Sequence, residues 1–350
     1  MPVLPRLIKV TVVATLLALT ATVTGCGSDA SDSAKGGTGT EAQKEAQSVE
    51  NGAYPVTIDH EYGSTTITKK PERVVTVGLV EQDATIALGT VPVAVTDWFG
   101  TDPGRIFPWA KPLIGTSPIP QVLPGTLDVE KIAALHPDLI VALYSDISKK
   151  QYQLLSAIAP TIAHPAGQND YSISWQDVTT TVGKALGRPA AAQKLVDGVE
   201  AKFAAARKEH PKFEGKEALM GSLYEGIFVY APSDPRGQIL HELGFSFPAD
   251  VKFVGKDTYG ESISPENADL VDVDAMVWID SEKKVRKAVP TYGNLRLSRE
   301  GRSVFVPEDF GDPVYVSTSF VTVLSLPYML EHLVPRLAAA VDGDPATATS

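Results

Sequence analysis

One stretch of this chain repeats itself 136 residues later without a gap. Leu127, Glu130, Asp138 and the run Leu139-Ile140-Val141-Ala142-Leu143 lie over Ile263, Glu266, Asp274 and Ala275-Met276-Val277-Trp278-Ile279. In each copy a glutamate stands in the first turn of a helix, an aspartate follows eight residues later, and an apolar strand comes next. A chain that builds the same helix and strand unit twice is expected to form two quasi-equivalent lobes. Its 350 residues agree, at roughly 100 to 200 residues per domain.

Between the copies lies the longest helical pattern. Ala192, Leu195, Val196, Val199, Phe203 and Ala206 follow the i, i+3, i+4, i+7 spacing of one helical face. Pro189 suits a first helical position and His210-Pro211 ends the run, giving a rod of about 30 Å at roughly 1.5 Å per residue. Ser174 with Asp177 marks the start of a shorter helix that Gly187 stops. Alone, the long helix suits the core of one domain or a strut between two; the repeat makes it the strut. Strands at 73–79, 91–95, 138–143 and 161–163, alternating with helices at 82–88, 127–135 and 148–158, predict a parallel sheet before it. Strands at 218–223, 227–230, 275–279 and 303–306 begin the alternation again after it. The expected fold class is α/β, two quasi-equivalent parallel-sheet lobes bridged by a single long α-helix. The lobes are placed at 53–174 and 211–342, the linking helices at 175–210 and a tail at 343–350. Residues 97–126, dense in Pro, Gly and aromatics, show no period; long irregular segments in compact domains tend to be functional.

The N-terminus has a different composition. Arg6 and Lys9 precede an apolar run too short for a stable membrane span, and Val23-Thr24-Gly25-Cys26 follows. This resembles a bacterial lipoprotein signal at 1–25, with Cys26 the lipidated residue of the mature chain. A diacyl chain, palmitate for example, supplies enough buried methylene to hold a protein at a membrane. Residues 26–52, poor in large apolar side chains, read as a disordered tether. Cys26 is the one cysteine, so no intrachain disulfide forms. The net charge is −11, and losing Arg6 and Lys9 with the leader makes it −13, which argues against nucleic acid as a partner.

Several blocks together resemble the solute-binding lipoproteins of ABC importers for ferric siderophores, with haem and cobalamin binders as relatives. They are Pro71-Glu72-Arg73-Val74-Val75, Ala87-Leu88-Gly89 through Pro92-Val93-Ala94-Val95, residues 127–140, and Ser264-Pro265-Glu266. With the lipobox and the linking helix they cover nearly all of the mature chain. The resemblance implies two α/β lobes bridged by one helix, a ligand held between them, little hinge motion, a monomer, and attachment to the extracytoplasmic face of the membrane. It also implies that Glu130 and Glu266 contact arginines on the two subunits of an ABC permease dimer.

In parallel sheets ligands bind beyond the carboxyl ends of the strands. Residues following the predicted strands or in neighbouring loops are Trp98, Phe99, Arg105, Tyr144, Tyr224, Arg236, Tyr292 and Tyr315. Aromatic walls bury the organic rim of an Fe(III)-siderophore complex, and arginines donate to its oxygens. The chelator already ligates the iron, so neither a cofactor nor a direct metal ligand is expected. Trp175 and Trp278, at a helix start and inside a strand, read as core. No GxSxG, HExxH or phosphate loop supports an enzyme. A zinc or manganese receptor is the rival reading, but His60, His136, His164, His210, His241 and His332 show no metal-ligand spacing.

Overall fold

The computed structural model describes residues 48–98, 100–168, 170–252 and 259–347. The leader, Cys26, most of the tether, Phe99 and the last tail residues lie outside them. β1 (Val56–His60) and β2 (Gly63–Ile67) form an antiparallel hairpin that buries Ile58 and Ile67. β3 (Val74–Thr76), β4 (Ala94–Thr96), β5 (Gln121–Leu123), β6 (Leu139–Ala142) and β7 (Thr161–Ala163) make an all-parallel sheet ordered β5-β4-β3-β6-β7. β8 (Ala218–Leu223), β9 (Ile227–Tyr230), β10 (Gly260–Ile263), β11 (Ala275–Trp278) and β12 (Ser303–Phe305) make the second, ordered β10-β9-β8-β11-β12.

The two orders correspond strand for strand, with one difference from the expected parallel pattern. β9 runs antiparallel to β8 and β10, so the second sheet is mixed at that edge. Only Tyr224, Glu225 and Gly226 join β8 to β9, and a parallel connection needs a dozen or more residues. Glu225 at φ 51° and Gly226 at φ 117° supply the turn. β5 and β10 escape sequence reading because their short strands, QVL and GESI, lack a β-branched run.

The repeat has a physical basis in which core each side chain joins. Leu139 and Val141 of β6, like Ala275 and Val277 of β11, point into one large core shared by both lobes. Ile140 and Ala142 point into a core private to the first lobe, and Met276 and Trp278 into one private to the second. The aspartates before these strands also match. Asp138 accepts from the backbone nitrogens of Glu72 (2.9 Å) and Arg73 (2.8 Å) just before β3, and Asp274 accepts from Glu217 N (3.2 Å) just before β8.

The shared core is completed by helices. Trp175–Ala185 is capped by Ser174 Oγ accepting from Asp177 N at 3.0 Å and ends before Gly187, as the sequence implies. Pro189–Glu209 follows and buries Ala192, Val196, Val199 and Phe203. The two helices approach so closely at Gly183 that a Cβ there would stand 2.2 Å from that of Ala192. His210, at φ −118° before Pro211, leaves helical geometry and ends the rod. The last helix, Ser325–Asp342, runs through Pro335, which lies with Glu331, the residue whose carbonyl its missing N–H leaves unbonded, on the exposed side of the helix.

The tether boundary moves. Residues 48–52 were expected in the disordered segment, yet Glu50 caps the long helix: its carboxylate accepts from Ala190 N and Ala191 N, each at 3.0 Å. That helix has no side-chain cap of its own, because Arg188 at its N-cap reaches instead to the Leu88 carbonyl at the end of helix Glu81–Ala87. A carboxylate at the first turn also faces the positive end of the helix dipole. Glu50→Ala is therefore expected to lower unfolding free energy by about 1 kcal/mol in a denaturant titration. An unchanged midpoint would show that the cap contributes nothing.

Candidate functional site

The carboxyl ends of both sheets face one cleft. On the first lobe a cavity of about 290 Å³ is lined by Leu79 after β3, Thr96 at the end of β4, and Ser145 and Asp146 after β6, with Tyr171 at its side. On the second a larger cavity of about 630 Å³ lies beyond β8 and β11, walled by Tyr224, Tyr230, Arg236, Asp280 and Tyr315. Trp98 lies between the lobes, its ring 6.2 Å from Tyr144 and 5.9 Å from Phe320. Tyr144 also meets Tyr171 edge-on at 5.4 Å and lies within the fields of Arg236 and Asp234 across the cleft. At the mouth, the Tyr259 hydroxyl donates to the Asp170 carbonyl at 2.9 Å.

These side chains are held by a buried polar layer. The carboxylate of Glu81, wholly buried, accepts from Tyr144 N at 2.7 Å and Val80 N at 3.1 Å, which fixes the backbone that presents Tyr144. Gly78 makes room for it, since a Cβ there would stand 1.8 Å from Glu81 Oε1. Two residues on, buried Asp83 Oδ2 accepts from Trp109 Nε1 at 2.7 Å and from Thr322 Oγ1 at 2.5 Å, tying the lobes beneath the cleft. Burial pushes the carboxyls of Glu81 and Asp83 up, Asp83 to about 7. Burial likewise raises the phenols of Tyr144 and Tyr171, and takes Tyr315 to about 12, so all three remain protonated donors at neutral pH.

The family described as periplasmic binding protein matches residues 87–292, more than half of the chain. The chain belongs to that family. A periplasmic solute binding protein from Mycobacterium smegmatis has a similar structure, with a TM-score of 0.72 and 33% identity, covering 82% of this chain and 98% of that one. PiaA of Streptococcus pneumoniae, an iron uptake ABC transporter substrate-binding protein, in its complex with ferrichrome gives a TM-score of 0.70 at 28% identity, covering 83% and 99%. The Fe(3+)-citrate-binding protein YfmC of Bacillus subtilis is 29% identical over 253 residues, 70% of this chain and 76% of that protein.

In this periplasmic binding protein the expected ligand residues divide. Trp98, Tyr144, Tyr224, Arg236 and Tyr315 come together at the cleft, with Tyr224 65% exposed in the β8–β9 turn. Arg105 is turned onto its own lobe, bonding Asp97 Oδ1 through Nε (2.9 Å) and Nη2 (2.5 Å) and the Asp102 carbonyl through Nη1 (3.1 Å). Tyr292 is not at the cleft. It is buried in the second lobe's private core, edge-on to Trp278, and its hydroxyl donates to Ser303 at 2.8 Å. The apolar strand environment around Trp278 needs a large partner, which is the physical reason Tyr292 points inward. Phe99 lies outside the described residues.

Sequence reasoning missed Tyr230, Tyr171, Phe320 and the pair Asp280 and Lys284. Tyr230 had a signal: Ile227-Phe228-Val229-Tyr230 alternates, and its second and fourth members stay half-exposed. Glu130 and Glu266 are both exposed and occupy the second position of the helices Val129–Ala134 and Pro265–Val271. Those helices begin beyond β5 and β10, so both glutamates stand on the cleft side of their sheets.

Asp83 makes stability depend on pH. Its carboxyl rises from 3.8 unfolded to about 7 folded, so between these values the native state holds a proton that the unfolded chain lacks. Stability falls as pH rises through that window and levels off above it, by at most about 4 kcal/mol for this residue. Glu81 on the same helix acts in the same sense, so a variant is needed to isolate Asp83. Asp83→Asn is expected to reduce the difference in unfolding free energy between pH 5 and pH 8; an equal difference in both proteins would contradict the assignment.

Proposed function

We propose that this chain is the extracytoplasmic substrate-binding component of an ABC importer, a binding protein that captures a ferric siderophore in the cleft and presents it to a permease. The observation that carries this is the chemistry of the cleft: phenols and an arginine surround a space large enough for a bulky complex. Among the described residues no three His, Cys, Asp or Glu side chains converge on a set that could hold a metal ion. In this reading iron travels inside its chelator. The names of YfmC and of the ferrichrome complex of PiaA support the same reading. Haem and cobalamin remain alternatives that the experiment below separates.

In this reading the mature chain is a monomer anchored through lipidated Cys26, and residues from 27 to the first docked segment near Glu50 form its tether. No helix among the described residues is long and apolar enough to cross a membrane. A core continuous through both lobes and the linking helices supports a cleft with little hinge motion.

Trp98, wedged between Tyr144 and Phe320, is the natural reporter. Titrating the full chain with ferric hydroxamates, ferric catecholates, haem and cobalamin is expected to quench its fluorescence at about 1 μM or below for a ferric siderophore. Trp98→Phe should lose most of that quenching. Binding of free zinc with no response to any ferric complex would sink the proposal.

The paired glutamates support delivery to a two-fold permease, since matched carboxylates on quasi-equivalent lobes suit matched cations on two subunits. Glu130→Ala combined with Glu266→Ala is expected to leave ligand affinity within about twofold of wild type while reducing cellular iron uptake roughly tenfold or more. Uptake at the wild-type rate would remove them from docking.

A further inference from the structure

The charges around the cleft narrow the ligand. Arg236 lines the larger cavity, and its charge is already matched. Nε and Nη2 each bond one oxygen of Asp234 at 2.7 Å in a bidentate pair, and the Asp234 carboxylate is wholly buried beneath it. The guanidinium also lies 3.9 Å from the centre of the Tyr230 ring, which holds it in place. Nη1 has no hydrogen-bond acceptor among the described residues, so Arg236 keeps a donor for a ligand oxygen but no surplus charge. The second cation, Lys284, is shared between Asp280 at 3.3 Å and Glu308 at 3.6 Å.

Lys287, exposed at the rim, has no acid within ion-pair reach among the described residues. Among the described residues of this cavity, Arg236, Lys284 and Lys287 are balanced by Asp234, Asp280 and Glu308. The opposite lobe tips the balance toward negative. Asp146 is exposed in its cavity, and Asp146, Asp170 and Asp234 all bear on Tyr259 at the mouth. Among the described residues near that rim, Arg105 is consumed by Asp97 and Lys131 by Asp128.

We infer that the cleft is built for an uncharged or cationic ferric complex of the trishydroxamate class and disfavours polyanionic chelates. This rests on the siderophore reading above. Three hydroxamates cancel the charge of ferric iron and leave neutral oxygens as acceptors, which Arg236 Nη1 and the hydroxyls of Tyr224 and Tyr230 can satisfy. A tris-catecholate keeps three negative charges in excess, and a citrate chelate is also anionic. Bringing such an ion into a half-buried space where the central cation is already paired and the charges of the described residues carry no positive surplus loses hydration without enough opposing charge to replace it. The inference departs from the name of the Fe(3+)-citrate-binding relative, whose ligand is anionic.

The test titrates the full chain in detergent with four probes: ferrichrome, uncharged; ferrioxamine B, cationic; ferric enterobactin, anionic; and ferric dicitrate, anionic. Both hydroxamates are expected to bind at least tenfold tighter than either anion, about 1.4 kcal/mol. Glu308→Lys and Asp146→Lys, both at exposed positions, should each shift the ratio of affinities toward ferric enterobactin by roughly threefold or more. Equal or tighter binding of either anion overturns the ligand class while leaving the siderophore reading intact. A ratio that neither variant moves overturns its electrostatic basis. Absence of binding to all four probes overturns the inference together with the reading on which it rests.

Discussion

Both sheets bury one face against the same helical layer, and this shared core fixes where everything else can lie. Val74, Leu139 and Val141 from the first sheet, and Ala218, Met220, Ala275 and Val277 from the second, meet the faces of Trp175–Ala185, Pro189–Glu209 and Ser325–Asp342 in one cluster. Each fully buried aliphatic side chain there contributes on the order of 1.5 to 3 kcal/mol, so rotating one lobe against the other would expose many such contributions at once. The cleft is therefore a consequence of the core. Holding both sheets on one layer with their carboxyl ends directed alike leaves loops from two lobes facing each other.

Under those loops the polar interior does the local positioning. Glu81 and Asp83 lie on one short helix, wholly buried, the first gripping the backbone of Tyr144 and the second reaching Trp109 and Thr322. A carboxylate so placed is costly to ionise, and hydrogen bonds offset that cost only in part. The larger cavity above is lined mostly by paired charges and neutral phenols, which makes it suited to presenting donors rather than to concentrating charge. Arg236 illustrates the point, because Asp234 both caps its helix and cancels its charge.

Much of the fold was legible because its signals are local or periodic. The face Ala192, Val196, Val199 and Phe203 was visible as a helical stripe, and the same residues are buried. The apolar runs at 139–142 and 275–278 were visible as strands, and the structure buries them on both faces. What escaped were short strands in irregular segments, the antiparallel turn of β9, and the docking of Glu50 onto a helix 140 residues away. Of the candidate site, strand ends pointed to Trp98, Tyr144 and Tyr224, while Tyr292, expected at the site as part of a later loop of the second lobe, lies in that lobe's core. A tyrosine in a loop looks the same in sequence whether a tryptophan awaits it in a core or a ligand does in a cleft.

By itself the sequence determined that there are two related α/β units, which helix joins them, and which residue types gather at the ends of their strands. Those properties follow from hydrophobic period, proline and glycine placement, and a gapless internal match, all readable along the chain. Only the tertiary structure decided which tyrosines share a cavity, that Arg236 is neutralised by Asp234, that Arg105 is spent on Asp97, and that Asp83 joins the lobes through Thr322, 239 residues away. The reason is physical: periodicity encodes which face of an element is apolar, whereas charge pairing and burial depend on distances between elements, and those are set by the shared core.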